Sequence, residues 1–488
     1  MKRKLLTLVT LLLALCLLAG CGRNGNNTNS SASVGTEKTP ASKTEVVLPV
    51  TVEGAVFGGS SDDKIALDLR FDPVWITEGN NTVYQPDIAA FASVLCADIY
   101  YREKDAAKSS ANRVLTAGSA DAYSQKALLE ALGYTDVQFI ETYKQGSYTA
   151  DTNDSGTVLM AYRNVDNLYD SYILVLRGCF SIGERLSAFD VGSTDAAYAA
   201  LTGSHSEWTN TARFKGVDVA VNRIKAFFDD YRAGHDEPDR IDTVLVTGHS
   251  RGAMLAQSLG ADLEKEALVK SFTYTFNAMP VTSESNASSY KTIFNVFDSA
   301  DYYTNPFPFS AETFCRYGRD ISVNLQQDTA LQQKIADMGG KNGYASLAAD
   351  KNAEYKSLFG QRFPDRASLY NTVTSSAATY DTFEAASSAV ANLKLYIDGM
   401  AVSSFYTVSE PAEKDGKYTV TVAYEGAAIV NSFAQIQAYG KSGYDGFNLL
   451  FAGDTDACRM ADIIYENLAA INAGHLLVNS YVLAQNAK

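Results

Sequence analysis

The sequence predicts an α/β fold built on a mostly parallel sheet with helices on both faces, and three observations carry that reading. Short apolar runs rich in β-branched residues recur through the middle of the chain: GTVLMAYR (156–163), SYILVLRG (171–178), TVLVT (243–247), SFTYTF (271–276) and KTIFNVF (291–297). Helical patterns alternate with them. The clearest is FKGVDVAVNRIKAFFDDY, where Val217, Val221, Ile224 and Phe228 recur at i, i+4, i+7 and i+11. The runs are nearly continuous in apolar character, as strands of a parallel sheet covered on both sides are.

Taken in order, the chain begins with Lys2, Arg3 and Lys4, followed by an apolar run from Leu5 to Leu18. Charge followed by a run of this length reads as a secretory signal, and the run is too short to be a comfortable membrane span. It closes on Leu18-Ala19-Gly20-Cys21, which resembles the bacterial lipobox, where cleavage before the cysteine leaves it diacylated. Residues 1–20 are therefore expected to be a signal peptide. Cys21 is expected to carry the lipid that anchors an exported protein to a bacterial membrane, since two acyl chains give durable attachment. Residues 21–45, rich in Asn, Ser, Thr, Gly and Lys, offer little to bury and read as a flexible tether.

The remainder, 46–488, is expected to be one α/β domain with insertions. Removing Lys2, Arg3 and Lys4 takes the formal net charge from −15 to −18, an acidity that disfavours nucleic acid as a partner. Cys16 leaves with the signal and Cys21 is spent on lipid, so Cys96, Cys179, Cys315 and Cys458 remain, open to three disulfide pairings or to none. No CxxC pair and no His/Cys cluster at zinc spacing occurs, so neither a metal nor another cofactor is expected.

From Asp87 to about Thr142 the pattern reads as a helical prelude to the strands. Residues 310–455 are the least legible and are read as a large insertion. It holds a helical piece, FEAASSAVANLKLYI, and a hairpin turning at Asp415-Gly416. A helix, CRMADIIYENLAAIN, then closes on Gly474 as its cap.

The chemistry centres on Gly248-His249-Ser250-Arg251-Gly252. A Gly-x-Ser-x-Gly pattern is weak alone, but here it lies between an apolar strand and a helix, the setting of a nucleophile elbow in the α/β-hydrolase fold. Gly248 and Gly252 let the helix pack on the sheet, and Ser250 Oγ would stand clear at the sheet's C-terminal edge. The plainer role for Ser250 is a helix N-cap. A serine nucleophile needs a base, and the chain has four histidines: His205, His235, His249 and His475. Hydrolases of this fold run serine, acid, histidine along the chain, and only His475 lies downstream of the candidate acids. His249 departs from the elbow in another direction and reads as a packing or hydrogen-bonding residue. The acid should follow a later strand, and Asp298 and Asp301 both follow IFNVF. The reading expects one ring nitrogen of His475 at hydrogen-bonding reach of Ser250 Oγ, and the other on one of these carboxylates.

LVLRGC (174–179), RFKGVDVAVNRI (213–224), VLVTGHSRGAMLA (244–256), FTYTFNAMP (272–280) and IFNVFDSADYYTNPFP (293–308) together resemble the class 3, fungal-type lipase family. The resemblance covers about 155 to 310, with His475 and Tyr481 near the C-terminus. It implies Asp301 over Asp298 as the acid. It also implies an oxyanion hole made by the backbone N–H groups of Cys179 and Arg251, although Arg177-Gly178-Cys179 stands where the family has Arg-Gly-Thr or Arg-Gly-Ser, and Arg251 replaces the usual Leu. The implied activity is hydrolysis of acyl esters or lipids through an acyl-Ser250 intermediate. Two other readings stay open: a non-catalytic envelope-binding lipoprotein on a hydrolase scaffold, and an amidase, peptidase or thioesterase using the same triad.

Overall fold

Strand residues that point alternately into two separate cores organise this chain. The computed structural model describes residues 46–53, 64–99, 114–116, 122–123, 125–141, 156–179, 182–193, 209–235, 239–339, 344–398 and 405–486. The expected signal, Cys21, the tether and His205 lie outside the described residues.

A first sheet, in the order β2-β1-β3-β4, joins β1 (Val46–Glu53), β2 (Lys64–Phe71), β3 (Val114–Thr116) and β4 (Ala122–Tyr123). The central sheet has seven strands in the order β11-β10-β9-β8-β7-β6-β5. They are β5 (Asp136–Glu141), β6 (Thr157–Asn164), β7 (Tyr169–Leu176), β8 (Ile241–His249), β9 (Val269–Phe276), β10 (Ile293–Asp298) and β11 (Arg319–Val323). From β7 to β11 every pairing is parallel, while β5 and β6 continue the sheet antiparallel.

Period-two alternation explains why these strands are apolar throughout. Tyr172, Leu174, Val244 and Val246 enter one core with Val217, Val221, Phe228, Met254 and Leu255 of the helices Lys215–Ala233 and Arg251–Leu263. Ile173, Val175, Leu245 and Val296 enter the opposite core with Phe91, Leu95, Leu477 and Val482 of the helices Pro86–Asp98 and Leu477–Asn486. Each such side chain contributes roughly 1.5–3 kcal/mol on burial. The fold is therefore α/β, and the sheet's C-terminal edge gathers the ends of β7, β8, β9 and β10.

Three expectations need correction. The prelude read as helical holds the helices Pro86–Asp98 and Gln125–Ala131, but it also contains β3, β4 and β5. Strand β5, DVQFIE, lies at the sheet edge, mixes apolar with polar residues, and lacks the continuous run of an inner strand. The range 310–455 includes β11, the last strand of the central sheet. It also includes a separate antiparallel sheet of β12 (Thr372–Tyr380), β13 (Tyr406–Val408), β14 (Ala412–Lys414) and β15 (Lys417–Glu425). Its β14–β15 turn has Asp415 at φ 54° and Gly416 at φ 72°, the positive values a two-residue hairpin requires. Finally, the closing helix is two, Thr455–Glu466 and Leu468–Gly474, broken at Asn467, whose side chain donates back to the Ile463 carbonyl at 2.8 Å. No helix among the described residues is long and apolar enough to cross a membrane.

Candidate active site

Strand β8 ends at His249, and the chain reverses at Ser250 into the helix Arg251–Leu263. Ser250 has φ 57° and ψ −125°, a conformation that costs a non-glycine residue about 1–3 kcal/mol and is retained where the surroundings enforce it. Those surroundings are backbone. A Cβ on Gly248 would overlap the Gly252 carbonyl, and one on Gly252 would overlap the Leu176 carbonyl oxygen at the end of β7. Ser250 N–H donates to the Phe276 carbonyl at 3.0 Å, and the Ser250 carbonyl accepts from Ala253 and Met254 at 2.9 and 3.1 Å. Ser250 occupies the N-cap position, yet its side chain makes no capping bond. The hydroxyl is thus not spent on the helix.

A single turn at the end of β10 separates the candidate acids. Asp298 Oδ1 accepts from the N–H groups of Ala300 and Leu325 at 2.9 and 3.0 Å, and Oδ2 accepts from the Tyr344 hydroxyl. Burial pushes its carboxyl up to about 6, against the opposing pull of these hydrogen bonds. Asp301 Oδ1 accepts from Tyr303 N–H at 2.9 Å, and Oδ2 lies 2.6 Å from His475 Nδ1. The side chain that meets the imidazole is Asp301, not Asp298.

His475 is the C-cap of the helix Leu468–Gly474, and one residue, Leu476, separates it from the helix Leu477–Asn486. Asn479 donates to the carbonyls of Ala473 and Gly474 at 3.1 and 2.9 Å and fixes that corner from within. The imidazole packs against two rings: His249 at 4.8 Å between centroids and Tyr303 at 4.4 Å. Tyr303 OH donates to Asn472 Oδ1 at 3.3 Å, so Tyr303 braces both the acid and the helix that carries the base. His475 Nε2 is buried and has no hydrogen-bond partner among the described residues. The bond expected from Nε2 to Ser250 Oγ is accordingly absent; such contacts are often long without substrate and tighten when it binds. Of the other histidines, His235 stacks on Tyr162 and bonds Asp136 at the far edge of the sheet. His249 bonds the His475 carbonyl oxygen at 3.0 Å.

Cys179 follows the end of β7, the segment that Gly252 abuts. Burial pushes its thiol up to about 11, with the charges of Arg185 and Arg251 opposing, so it stays protonated at neutral pH and is a poor nucleophile. Beneath it, the fully buried Arg177 and Glu184 pair at 2.9 Å, and Arg251 Nη2 donates to Ser187 Oγ at 3.1 Å. Glu184 and Ser187 belong to the helix Ile182–Ala188, so these contacts tie that helix to the end of β7 and to the elbow. The contacts of Tyr303 and Glu184 carry no sequence signal beyond their closeness to the motifs, whereas His249 is a buried, hydrogen-bonding residue as the sequence suggests. Cys96, Cys179, Cys315 and Cys458 are all free thiols. Among the described residues no three His, Cys, Asp or Glu side chains converge as a metal site requires.

Solved structures similar to this chain are fungal lipases. They include the triacylglyceride lipase of Rhizomucor miehei, 19% identical over 42% of this chain and 75% of that one, with a TM-score of 0.27. The lipase of the same fungus in complex with its propeptide is 17% identical over 55% and 75%, with a TM-score of 0.30. A lipase from Rhizopus microsporus var. chinensis is 15% identical over 57% and 78%, with a TM-score of 0.24. No family model and no curated protein matches the chain.

At such low identity the chemistry has to be read from the residues themselves. A strained serine at a helix N-terminus is preceded in the chain by His249, which bonds the main chain of a second histidine, His475, whose Nδ1 is committed to a buried carboxylate. That tautomer leaves Nε2 able to accept a proton. The start of the helix Arg251–Leu263, where backbone N–H groups lack intrahelical acceptors, favours negative charge beside Ser250.

Proposed function

We propose that this protein is a serine hydrolase of the α/β-hydrolase fold that cleaves acyl esters. The observation that carries the proposal is the His475 imidazole bonded to Asp301 through Nδ1, with a buried, unpartnered Nε2, on a turn bonded to the neighbour of Ser250. Ser250 Oγ attacks the ester carbonyl while His475 Nε2 takes its proton, and Asp301 stabilises the imidazolium. The oxyanion is held by the backbone N–H groups of Arg251 and Cys179. As the tetrahedral intermediate collapses, the imidazolium returns the proton to the departing alcohol and leaves acyl-Ser250. Water, deprotonated by the same histidine, then releases the acid. The residues 324–455 form the insertion of this reading.

The test is labelling of the purified protein with a fluorophosphonate probe, alongside turnover of p-nitrophenyl esters of several chain lengths. Ser250→Ala is expected to lose both while its circular dichroism is unchanged. Undiminished turnover in the variant would refute the proposal. Export and lipid attachment at Cys21 belong to it as well: Cys21→Ala is expected to move the protein from the detergent to the aqueous phase on phase separation, and retention in detergent would count against the anchor.

A further inference from the structure

The serine and the histidine come from different elements, and one side chain joins those elements directly. His249, the last residue of β8 and the neighbour of Ser250, sets its Nε2 3.0 Å from the main-chain carbonyl oxygen of His475. A carbonyl can only accept, so Nε2 carries the hydrogen and donates. The donor is rigidly mounted: His249 is 3% exposed and pairs with Phe276 in the β8–β9 register. The bonds from Asn479 shape the His475 corner internally, and neither reaches the elbow.

We propose that His249 is a positioning residue, whose Nε2–H bond to the His475 carbonyl holds the base-bearing corner against the elbow so that His475 Nε2 meets Ser250 Oγ. The inference rests on the hydrolase reading above. Its chemistry suits the task. Burial, reinforced by the adjacent His475 ring, holds the His249 pKa well below its usual value, so the donor is neutral. A second positive charge 4.8 Å from the His475 ring would oppose the imidazolium that forms during attack, and a neutral donor avoids it. Tyr303, its ring centre 4.4 Å from that of His475, packs against the imidazole, while His249 sets the distance of its backbone from the serine.

The experiment compares His249→Phe, which keeps a flat ring without the donor, with His249→Gln, whose amide N–H can reach the same carbonyl. Steady-state hydrolysis of a p-nitrophenyl ester is measured on the full chain, with Ser250→Ala in parallel. A base displaced by a fraction of an ångström costs about 10- to 100-fold in rate. His249→Phe is expected to lose that much in kcat with KM nearly unchanged, and His249→Gln to recover most of it. An unchanged kcat in His249→Phe, or equal losses in both variants, overturns the inference. Turnover that survives Ser250→Ala instead overturns the hydrolase reading. Independently of any variant's folding, the 15N imidazole spectrum of the unsubstituted protein should show His249 as the neutral Nε2–H tautomer between pH 5 and 8. An Nδ1–H tautomer or a protonated ring overturns the proposal.

Discussion

Asp298 and Asp301 stand three residues apart on one strand end and do different work. Asp301 points to His475, and Asp298 knits the chain beneath it through Ala300, Leu325 and Tyr344. Asp301→Asn should leave the fold intact and lower kcat by about 10³- to 10⁴-fold, because an amide presents the wrong partner to Nδ1–H. Asp298→Asn should keep kcat within a few fold. Its signature is in stability. The folded carboxyl titrates near 6, above the usual unfolded value near 3.9, so the folded state holds a proton that the unfolded chain has lost between those pH values. The stabilisation is therefore complete below about pH 4 and lost as pH rises through about 6, amounting to about 3 kcal/mol. Urea melts of the native chain and Asp298→Asn at pH 4, 5, 6 and 7 should show the native chain losing that margin relative to the variant. A margin that does not change with pH would show that the carboxyl is not raised.

At the scale of elements, the elbow is the place where strand, turn and helix constrain one another most tightly. Gly252→Ala drives a methyl group into the Leu176 carbonyl oxygen, a backbone atom that has no rotamer to yield. The expected cost is about 3 kcal/mol, read from the denaturant midpoint. Gly416→Ala, with φ 72° but open space around it, should cost only about 1 kcal/mol from its conformation. Equal losses would mean that the elbow is looser than its geometry implies. The same contrast explains what the sequence made legible. Strands β6 to β10 are buried on both faces and print as continuous apolar runs, and the elbow prints as two glycines around a serine. Edge strands β5 and β11 are half solvated, so DVQFIE and RDISV carry no such run. The break at Asn467 has neither glycine nor proline to announce it. Which aspartate faces His475 is fixed by the turn Tyr302–Thr304: position on the strand end leaves both carboxylates open, and the resemblance alone favours Asp301.

Across the whole molecule, burial is unequally shared. The two faces of the central sheet hold large cores, whereas the sheet of β12 to β15 closes over a small cluster whose buried apolar members among the described residues are Ala386, Val390 and Val420. Strand β12 is largely exposed along its length. The sheet reaches the main core through Tyr424 at the C-terminal end of β15 and Tyr406 of β13, with Val373 of β12 packed against it. This arrangement sets a hierarchy of opening. Amides of β7, β8 and β9 should exchange with solvent deuterium only through global unfolding, which costs about 5–15 kcal/mol in a typical domain. Amides of β12 and β14 should exchange orders of magnitude faster, through an excursion that leaves the Asp301–His475 pair formed. Limited proteolysis should accordingly cut first between residues 372 and 425, while the remainder still reacts with a serine-directed probe. The molecule would then have a cooperative unit that melts without silencing the chemistry.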